Sequence, residues 1–252
     1  MTDDAWGDRV LSRFGEAADT YDTAARLQRA VAWRLAGHCQ RIGVPRGLWV
    51  DLGSGTGHLA EALETHHPGQ QVLRLDGSVA MLRRQPPGAR TQLWDLRQPL
   101  PRWELSPTLL ASSFCLHWLH DPEQRVQQWL NELQPGGWLV LALPVEGCFP
   151  QWHEAAGDSG VACSALEFPH HEALCGDIKP EKIQLQQQLR FTATAVNLPR
   201  LLKPIRRVGA GSSRTQALSV QNWRLLEKCW PDRDGDGRLR LTWVIQLLLI
   251  RR

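Results

Sequence analysis

The chain has 252 residues, of which 42% are hydrophobic and 22% are charged, and its formal net charge is +3. This length and composition suit one α/β domain with an added cap, and the charge is too small to argue for nucleic acid as a partner. No apolar stretch approaches the length of a membrane helix, the first ten residues are too polar and acidic for a signal peptide, and the six cysteines form no CxxC pair. We therefore expect a cytoplasmic protein with reduced thiols and no membrane contact, for which a monomer is favoured.

The N-terminal part of the chain predicts a helix. Arg13 to Ala36 is amphipathic, with apolar residues at helical spacing, and it precedes the first strand of the core. A helix at this position can lie across the mouth of a ligand site. The alternative is a plain packing element, in which Tyr21 is only a core phenol.

Strands and helices then alternate along the chain. The predicted strands are 47–52, 71–76, 90–94, 108–113 and 137–143, and the predicted helices between them are 57–66, 78–85 and 122–133. This alternation indicates a parallel sheet with helices on both faces. A segment rich in Gly, Cys, His and Pro follows up to about residue 180. Beyond it the pattern predicts a strand at 183–196, helices near 199–207 and 219–229, and a closing strand.

The sequence DLGSGTG, from Asp51 to Gly57, lies between an apolar strand and a helix-like stretch. A glycine loop in this position offers a nucleoside ligand free backbone N–H groups and a helix N-terminus. His58 stands where the dinucleotide fingerprint requires Gly or Ala, and the Lys-Ser/Thr ending of a P-loop is missing. The loop therefore predicts a nucleoside site other than one for NAD or a triphosphate, against the alternative of an ordinary strand-to-helix turn.

Two acidic residues refine this prediction. Asp76 ends the second predicted strand, where its carboxylate can accept both hydroxyls of a ribose. Asp51 suits a positively charged ligand such as S-adenosylmethionine better than a pyrophosphate, which it would repel. The loop and Asp76 together resemble the class I S-adenosylmethionine-dependent methyltransferases, whose first motif is an acidic residue followed by GxGxG.

Four stretches are similar, more narrowly, to the malonyl-acyl carrier protein O-methyltransferases of biotin synthesis. They are the N-terminal segment with its FG, AA, YD and LQ pairs, SSFCLHW at 112–118, residues 132–155, and the closing LRLTWVIQLLLIRR. The resemblance implies a Rossmann-like, seven-stranded, mostly parallel sheet with helices on both faces, an N-terminal lid helix and a cap after the fifth strand. It divides one domain into lid helices (1–45), a cofactor-binding core (46–145), a cap insertion (146–182) and the remaining sheet on the substrate side (183–252).

The resemblance also implies which residues bind S-adenosylmethionine. They are Tyr21, Gln28, Asp51, Gly53, Gly55, Gly57, Asp76, Met81, Asp95, Leu96, Ser112 and Phe114. Asp51 and the glycines line the methionine end, Asp76 holds the ribose, and Asp95 reads the adenine amine. Met81 packs near the adenine, while Ser112 and Phe114 end the strand that faces the methyl group.

Tyr21 and Gln28 are expected to belong to the lid, and Trp118 to wall the substrate cavity. Met81 and Trp118 have a strong alternative as core residues, because Met and aromatic side chains at such spacing usually pack inside.

The implied acceptor is the free carboxyl of malonyl on acyl carrier protein. A carboxylate is already anionic near neutral pH, so no general base is expected. The relatives carry an Arg-Phe pair in the cap, but here Glu167 precedes Phe168. Arg206 or Arg207 is therefore the substitute candidate for gripping the carboxylate, with a solvated basic face as the alternative. The substrate-positioning candidates are Tyr21, Trp118 and Arg206.

Two other functions stay open at this stage. The acceptor could be another small carboxylate, such as a coenzyme A thioester or a free dicarboxylic acid, or the protein could bind S-adenosylmethionine without catalysis. No metal is expected. Trp243 occupies the twelfth position of a calcium-like DRDGDG sequence, and the spacing of Cys163, His170, His171 and Cys175 matches no zinc pattern.

Overall fold

A computed structural model describes residues 3–252, which form one seven-stranded sheet in the order β3-β2-β1-β4-β5-β7-β6. The strands are β1 (Trp49–Leu52), β2 (Val72–Asp76), β3 (Thr91–Leu93), β4 (Leu109–Ser113), β5 (Trp138–Pro144), β6 (Ile183–Ala195) and β7 (Leu239–Arg251). The first five run parallel, and β7 runs antiparallel to both of its neighbours. The predicted mostly parallel, seven-stranded α/β fold is confirmed.

Helices cover both faces of the sheet, and every residue of β1 and of β5 is consequently buried. The helices are α1 (Asp3–Ala24), α2 (Arg26–Ile42), α3 (His58–His66), α4 (Val79–Leu82), α5 (Pro122–Glu132), α6 (Pro150–Ser159), α7 (Leu198–Arg207) and α8 (Val220–Lys228). Short 3₁₀ turns occupy Leu116–Trp118, Ala173–Cys175 and Pro180–Lys182. Within the described residues, none of the helices is both long enough and apolar enough to cross a membrane.

The N-terminal helix prediction is wrong in one respect, because the segment contains two helices. The break falls at Ala25, whose φ of −81° and ψ of 38° leave the helical range. The Thr23 hydroxyl bonds to the Thr20 carbonyl just before it, and such side-chain bonds compete with helix continuation. As a result α2 packs against α3, whereas α1 reaches α4 and α7.

The helix predicted at 78–85 is also shorter than expected. It ends at Leu82, and two prolines follow at 86 and 87, which disfavour helical backbone in the residue before each. Gln85 is thereby left outside the helix, where its side chain takes a role in the glycine loop.

The order of the strands fixes where a ligand can bind. Strand β1 lies between β2 and β4, so the chain moves outward in opposite directions on its two sides. Crevices at such a switch point open at the carboxyl ends of the strands. The glycine loop after β1, the end of β2 and the end of β4 all meet there.

Candidate active site

The three glycines of the loop serve different purposes, although all have positive φ: 73° at Gly53, 54° at Gly55 and 100° at Gly57. A Cβ on Gly53 would overlap the Cys115 side chain, and one on Gly57 would overlap Gln85. A Cβ on Gly55 would meet no protein atom within 4 Å. Gly55 therefore leaves open the space that a ligand needs, whereas Gly57 allows close packing and does not itself line the cavity.

Gln85 and Asp76 hold this loop from two sides. The Gln85 amide donates to the Gly55 carbonyl at 2.7 Å, and its oxygen accepts from Arg74 at 2.6 Å. Asp76 accepts from the Gly55 N–H at 2.8 Å and from the Ser78 N–H at 2.7 Å, one bond to each oxygen. Since a carboxylate has about four acceptor positions, each oxygen keeps one for a ligand hydroxyl.

Asp51 is a buried acid that faces the same cavity. Its side chain accepts from the Ala60 N–H at 3.1 Å, and the residue is 1% exposed. Burial raises the pKa of Asp51 to about 7, even though the charge of Arg74 acts in the opposite direction. Arg74 is itself paired with Glu64 at 2.6 Å, so the cavity side of Asp51 can accept a cationic group.

The cofactor cavity encloses about 970 Å³ of space, including its opening to solvent. Met81 and Leu96 are buried and supply an apolar wall, as expected for an adenine. Asp95 also lines it, but Arg97 already binds both of its oxygens through Nε, at 3.1 and 2.9 Å. That pair lowers the pKa of Asp95 against the effect of burial, so the group is held ionised.

Helix α1 closes one side of this cavity and is fastened at both ends. Near its start, the Arg97 guanidinium donates to the Asp4 carbonyl at 3.0 Å and to Asp8 at 2.8 Å. Near its end, Asp22 accepts from the Thr56 hydroxyl at 2.6 Å and lies 3.2 Å from His58 Nε2. The helix thus bridges one side of the cavity, at the position where the sequence predicts a lid.

Tyr21 is the lid residue that faces both acids. Burial, followed by the charge of Asp76, raises the pKa of Tyr21 well above its usual range, so its phenol stays a neutral donor. Its ring stacks on His58 at a centroid distance of 6.1 Å. Gln28, on α2, lines the same cavity.

Ser112 does not face the cavity in the way that the resemblance implies. Its hydroxyl donates to the Leu52 carbonyl at 2.7 Å inside the sheet, because alternate residues of a strand point to opposite sides. The next residue, Ser113, lines the cavity instead. Phe114 follows with a φ of 55°, a conformation that costs a non-glycine residue roughly 1–3 kcal/mol and is typical of functional sites.

A second and larger cavity adjoins the first, with about 2170 Å³ of space including its opening. Five residues line both cavities: Phe14, Tyr21, Gln28, Phe114 and Trp118. Beyond them the wall comes from α6, α7, α8, β7, the cap and the segment 208–218. Its rings include Phe149, Trp152, Phe168, Trp223 and Trp243. Trp118 is therefore a wall between the two cavities, packed on Phe14 at 5.5 Å.

The two arginines suggested for the carboxylate lie at different places. Arg206 lines the second cavity, but it is exposed and its guanidinium donates to the Pro199 carbonyl at 3.2 Å. Arg207 is exposed and does not line the cavity, and its carbonyl accepts from Thr20. Of the two candidates, Arg206 is the one that lines the cavity, and both side chains are exposed.

Several lining residues were not singled out from the sequence. His58 has a pKa lowered by burial, and it contacts both Tyr21 and Asp22. Cys115 and His117 belong to the quoted SSFCLHW stretch, in which only Ser112, Phe114 and Trp118 were assigned roles. The position of His58 at the first turn of the helix after the loop was the available signal. Across residues 3–252, no group of three or more His, Cys, Asp or Glu could hold a metal ion.

Comparison with known proteins agrees with this geometry. Residues 50–141 match the methyltransferase domain family. Among solved structures, the fold is similar to the YcgJ protein of Bacillus subtilis, with a TM-score of 0.56, 14% identity, and coverage of 87% of this chain and 98% of that one. It is also similar to a SAM-dependent methyltransferase of Thermotoga maritima, with a TM-score of 0.52, 15% identity, and coverage of 95% and 99%. The protein is therefore a methyltransferase whose cofactor is S-adenosylmethionine, and it has the fold of the class I enzymes.

The narrower resemblance predicted from the sequence is confirmed as well. The chain is 29% identical to a malonyl-acyl carrier protein O-methyltransferase of Xylella fastidiosa, across 94% of this chain and 84% of that protein. It is 27% identical to one from Laribacter hongkongensis, across 94% and 86%. Over 51% of its length it is 36% identical to a bifunctional biotin biosynthesis protein of Cellvibrio japonicus, 26% of which it covers.

The residues present fit this cofactor. The buried Asp51 and the half-buried Asp76 face one cavity, burial raises the pKa of both carboxyls, and Asp76 has an acceptor position left on each oxygen. Between them, a Cβ on Gly55 would occupy space that no protein atom fills. This set suits an amino acid group joined to a ribose better than it suits a phosphate.

Proposed function

We propose that this protein transfers a methyl group from S-adenosylmethionine to the free carboxyl of malonyl carried on acyl carrier protein, the step that starts pimeloyl synthesis for biotin. The observation that carries the proposal is the similarity to enzymes of that name over 94% of the chain, which includes the cap and the acceptor side as well as the cofactor core. We also infer that the protein acts in the cytoplasm, as a monomer, with the lid, core, cap and substrate parts bounded as predicted.

The cofactor is assigned to the smaller cavity. Asp51 would bind its amino group, Asp76 its ribose hydroxyls, and the N–H groups of the Gly53–Gly57 loop would surround its methionine part. Met81 and Leu96 would pack on the adenine, whose amine would donate to the acceptor position that Arg97 leaves free on Asp95. Tyr21 and Gln28 would close over it from the lid.

The reaction needs no general acid or general base from the protein. When bound, the cofactor supplies a sulfonium-activated methyl group, so that a C–O bond forms as the C–S bond breaks and its electrons remain on sulfur. The acceptor carboxylate arrives ionised, and no proton has to be moved. What this chain contributes is alignment of the carboxylate and removal of its water shell.

The wall shared by the two cavities is the place for this alignment. Phe14, Phe114 and Trp118 are apolar, so they exclude water where the two ligands would meet. Phe114 keeps its unusual backbone conformation because its N–H donates to the Ala142 carbonyl at 2.8 Å, which fixes the ring at the junction. The aromatic cavity beyond can hold an acyl group and the thioester that follows it.

A labelling experiment tests the proposal. The protein is incubated with methyl-labelled S-adenosylmethionine and, in parallel, with malonyl-acyl carrier protein, malonyl-coenzyme A and free malonate. We expect the highest kcat/KM on the carrier protein, and base-labile label in the product, as a methyl ester requires. Preferential labelling of malonyl-coenzyme A or malonate would replace the proposed acceptor with the small-carboxylate alternative. Cofactor binding without label in any acceptor would favour a protein that binds but does not catalyse.

A further inference from the structure

The second, larger cavity, here named the acceptor cavity, contains an unusual set of polar atoms. Four of its lining side chains have a buried nitrogen or oxygen with no hydrogen-bond partner: His117 Nδ1, Trp152 Nε1, Ser164 Oγ and Ser212 Oγ. Buried polar atoms are nearly always bonded, because leaving one unsatisfied destabilises the folded protein. Four of them in the wall of one cavity indicate bonds that a ligand completes.

All four of these groups are uncharged near neutral pH. Burial lowers the pKa of His117 to about 3, so its imidazole is neutral. The arginines that line the same cavity, Arg9, Arg13, Arg206 and Arg224, are exposed. The cavity therefore has these four uncharged groups inside and exposed arginines at its mouth. Among residues 3–252, its one lining carboxylate, Glu227, is half-buried and accepts from the Leu198 N–H at 3.1 Å.

His117 is the member of the set beside the junction with the cofactor cavity. It lies in the 3₁₀ turn Leu116–Trp118, between Phe114 and Trp118, which line both cavities. Its ring is 4.9 Å from that of Trp118 and 5.6 Å from that of Phe168, measured between centroids. These rings leave Nδ1 with no protein partner.

We propose that the acceptor carboxylate is held inside the cavity by uncharged hydrogen-bond donors, with His117 as the principal one, and that the arginines at the mouth do not anchor it. The inference rests on the proposed function, since it concerns the same acceptor site. A neutral donor binds the carboxylate without cancelling its charge, so the attacking oxygen keeps more of its nucleophilicity than in a bidentate pair with arginine.

Three substitutions test the inference. His117→Phe keeps a ring of similar size and removes the donor, and His117→Asn keeps an N–H near the position of Nδ1. Arg206→Met removes an arginine at the mouth. We expect kcat/KM on malonyl-acyl carrier protein to fall roughly 10- to 100-fold in His117→Phe, as for a lost bond to a charged group, and to recover most of that loss in His117→Asn. Arg206→Met should lower it only about threefold, as for an exposed charge.

Two further measurements separate binding from folding. The affinity for S-adenosylmethionine and the midpoint of thermal unfolding should stay near parental values in both His117 variants. In protein saturated with S-adenosylhomocysteine, calorimetry with malonyl-coenzyme A should show weaker binding in His117→Phe than in the parent. This binding measurement needs no turnover, so it stands even if the proposed reaction is wrong.

The outcomes are distinguishable. No label in malonyl-acyl carrier protein from the parent enzyme removes the proposed function, and the His117 variants are then compared on whichever carboxylate the parent labels or binds. Parental kcat/KM and binding in His117→Phe would overturn the inference. So would an Asn variant no better than the Phe variant, a loss in Arg206→Met as large as that in His117→Phe, or a parent that binds no malonyl thioester at all.

Discussion

The two cavities are built by different means, although five residues belong to both. The polar end of the cofactor cavity is formed by backbone amides, positive-φ glycines and two acids within 26 residues of one another in the chain, from Asp51 to Asp76, and the remaining walls come from residues 7–32 and 77–119. The acceptor cavity is formed by side chains from six helices or strands (α1, α2, α6, α7, α8 and β7), from the 3₁₀ turn Leu116–Trp118 and from the loops between them, spread over residues 9–243. Where the backbone binds the ligand, substitutions at a few glycine positions should abolish binding. Where many side chains bind it, each substitution should have a smaller effect.

The sharpest test of this contrast is Gly55→Val. The Cβ of the new valine would meet no protein atom within 4 Å, so its only effect on folding is the cost of placing valine at positive φ. The remaining effect should be on ligand binding. Gly43→Val is the matched control, because Gly43 has a φ of 63°, is equally free of neighbours and caps α2 away from the cavity. We expect calorimetry to show a loss of S-adenosylmethionine affinity of more than about 100-fold in Gly55→Val, while both variants lose similar stability. Equal affinities in the two variants would refute backbone recognition at Gly55.

A second effect follows from the raised pKa of Asp51. Below a pH of about 7 the free protein holds a proton on this buried acid, and a cationic amino group must displace it. Affinity for S-adenosylmethionine should therefore rise about tenfold from a pH of about 5.5 to about 7, with protons released on binding. Asp51→Asn should bind more weakly at neutral pH.

Any pH dependence of S-adenosylmethionine affinity that remains in Asp51→Asn would report the protonation of Asp76, because burial raises the pKa of that carboxyl as well. Calorimetry in buffers of different ionisation enthalpy measures the proton count directly. A flat profile in the parent would mean that Asp51 does not face the amino group.

The same contrast explains what could be predicted from the sequence. The glycine loop and Asp76 are close in the chain, and their chemistry requires those residue types, so the cofactor core could be predicted before the structure. The strands could be predicted equally well, because the buried strands are continuous apolar runs. At the end of β4 it is Ser113, and not Ser112, that lines the cavity, because a shift of one residue along a strand reverses the direction of the side chain.

The acceptor side could not be predicted in this way. The role proposed for His117 depends on its position between Trp118 and Phe168, which are separated by 50 residues, and on the absence of a partner for Nδ1. Neither property is visible in a local pattern. The break at Ala25 is similar, since no Gly or Pro marks it, and it lies three residues after Asp22, which is tied to a loop 34 residues away.

The positive charge around the mouth of the acceptor cavity should mainly increase the rate at which acyl carrier protein associates. Acyl carrier proteins are acidic, and Arg200 and Lys203 are exposed on α7 beside the cavity. Reversing both to Glu should raise KM for malonyl-acyl carrier protein about fivefold at low salt, with little change in kcat, and added salt should reduce the difference. The control reverses Arg34 and Arg41, which are exposed on α2 and give the same change in net charge. An equal rise in KM in both double variants would indicate net charge alone and not a docking site on α7.

The smallest expected effect concerns α1, the lid that both cavities share. Asp22 ties the lid to the glycine loop through the Thr56 hydroxyl and His58, but its side chain is 48% exposed, so the tie contributes only about 0.5–1 kcal/mol. Asp22→Ala should therefore speed dissociation of S-adenosylmethionine about threefold, measured by stopped-flow competition, and leave association nearly unchanged. Asp19→Ala is the matched control, because Asp19 lies on the same helix, is 89% exposed and is paired with the exposed Arg84 at 3.5 Å. Equal dissociation rates in the two variants would mean that the lid is held by its apolar contacts and by Arg97, and that the Asp22 tie adds nothing to closure.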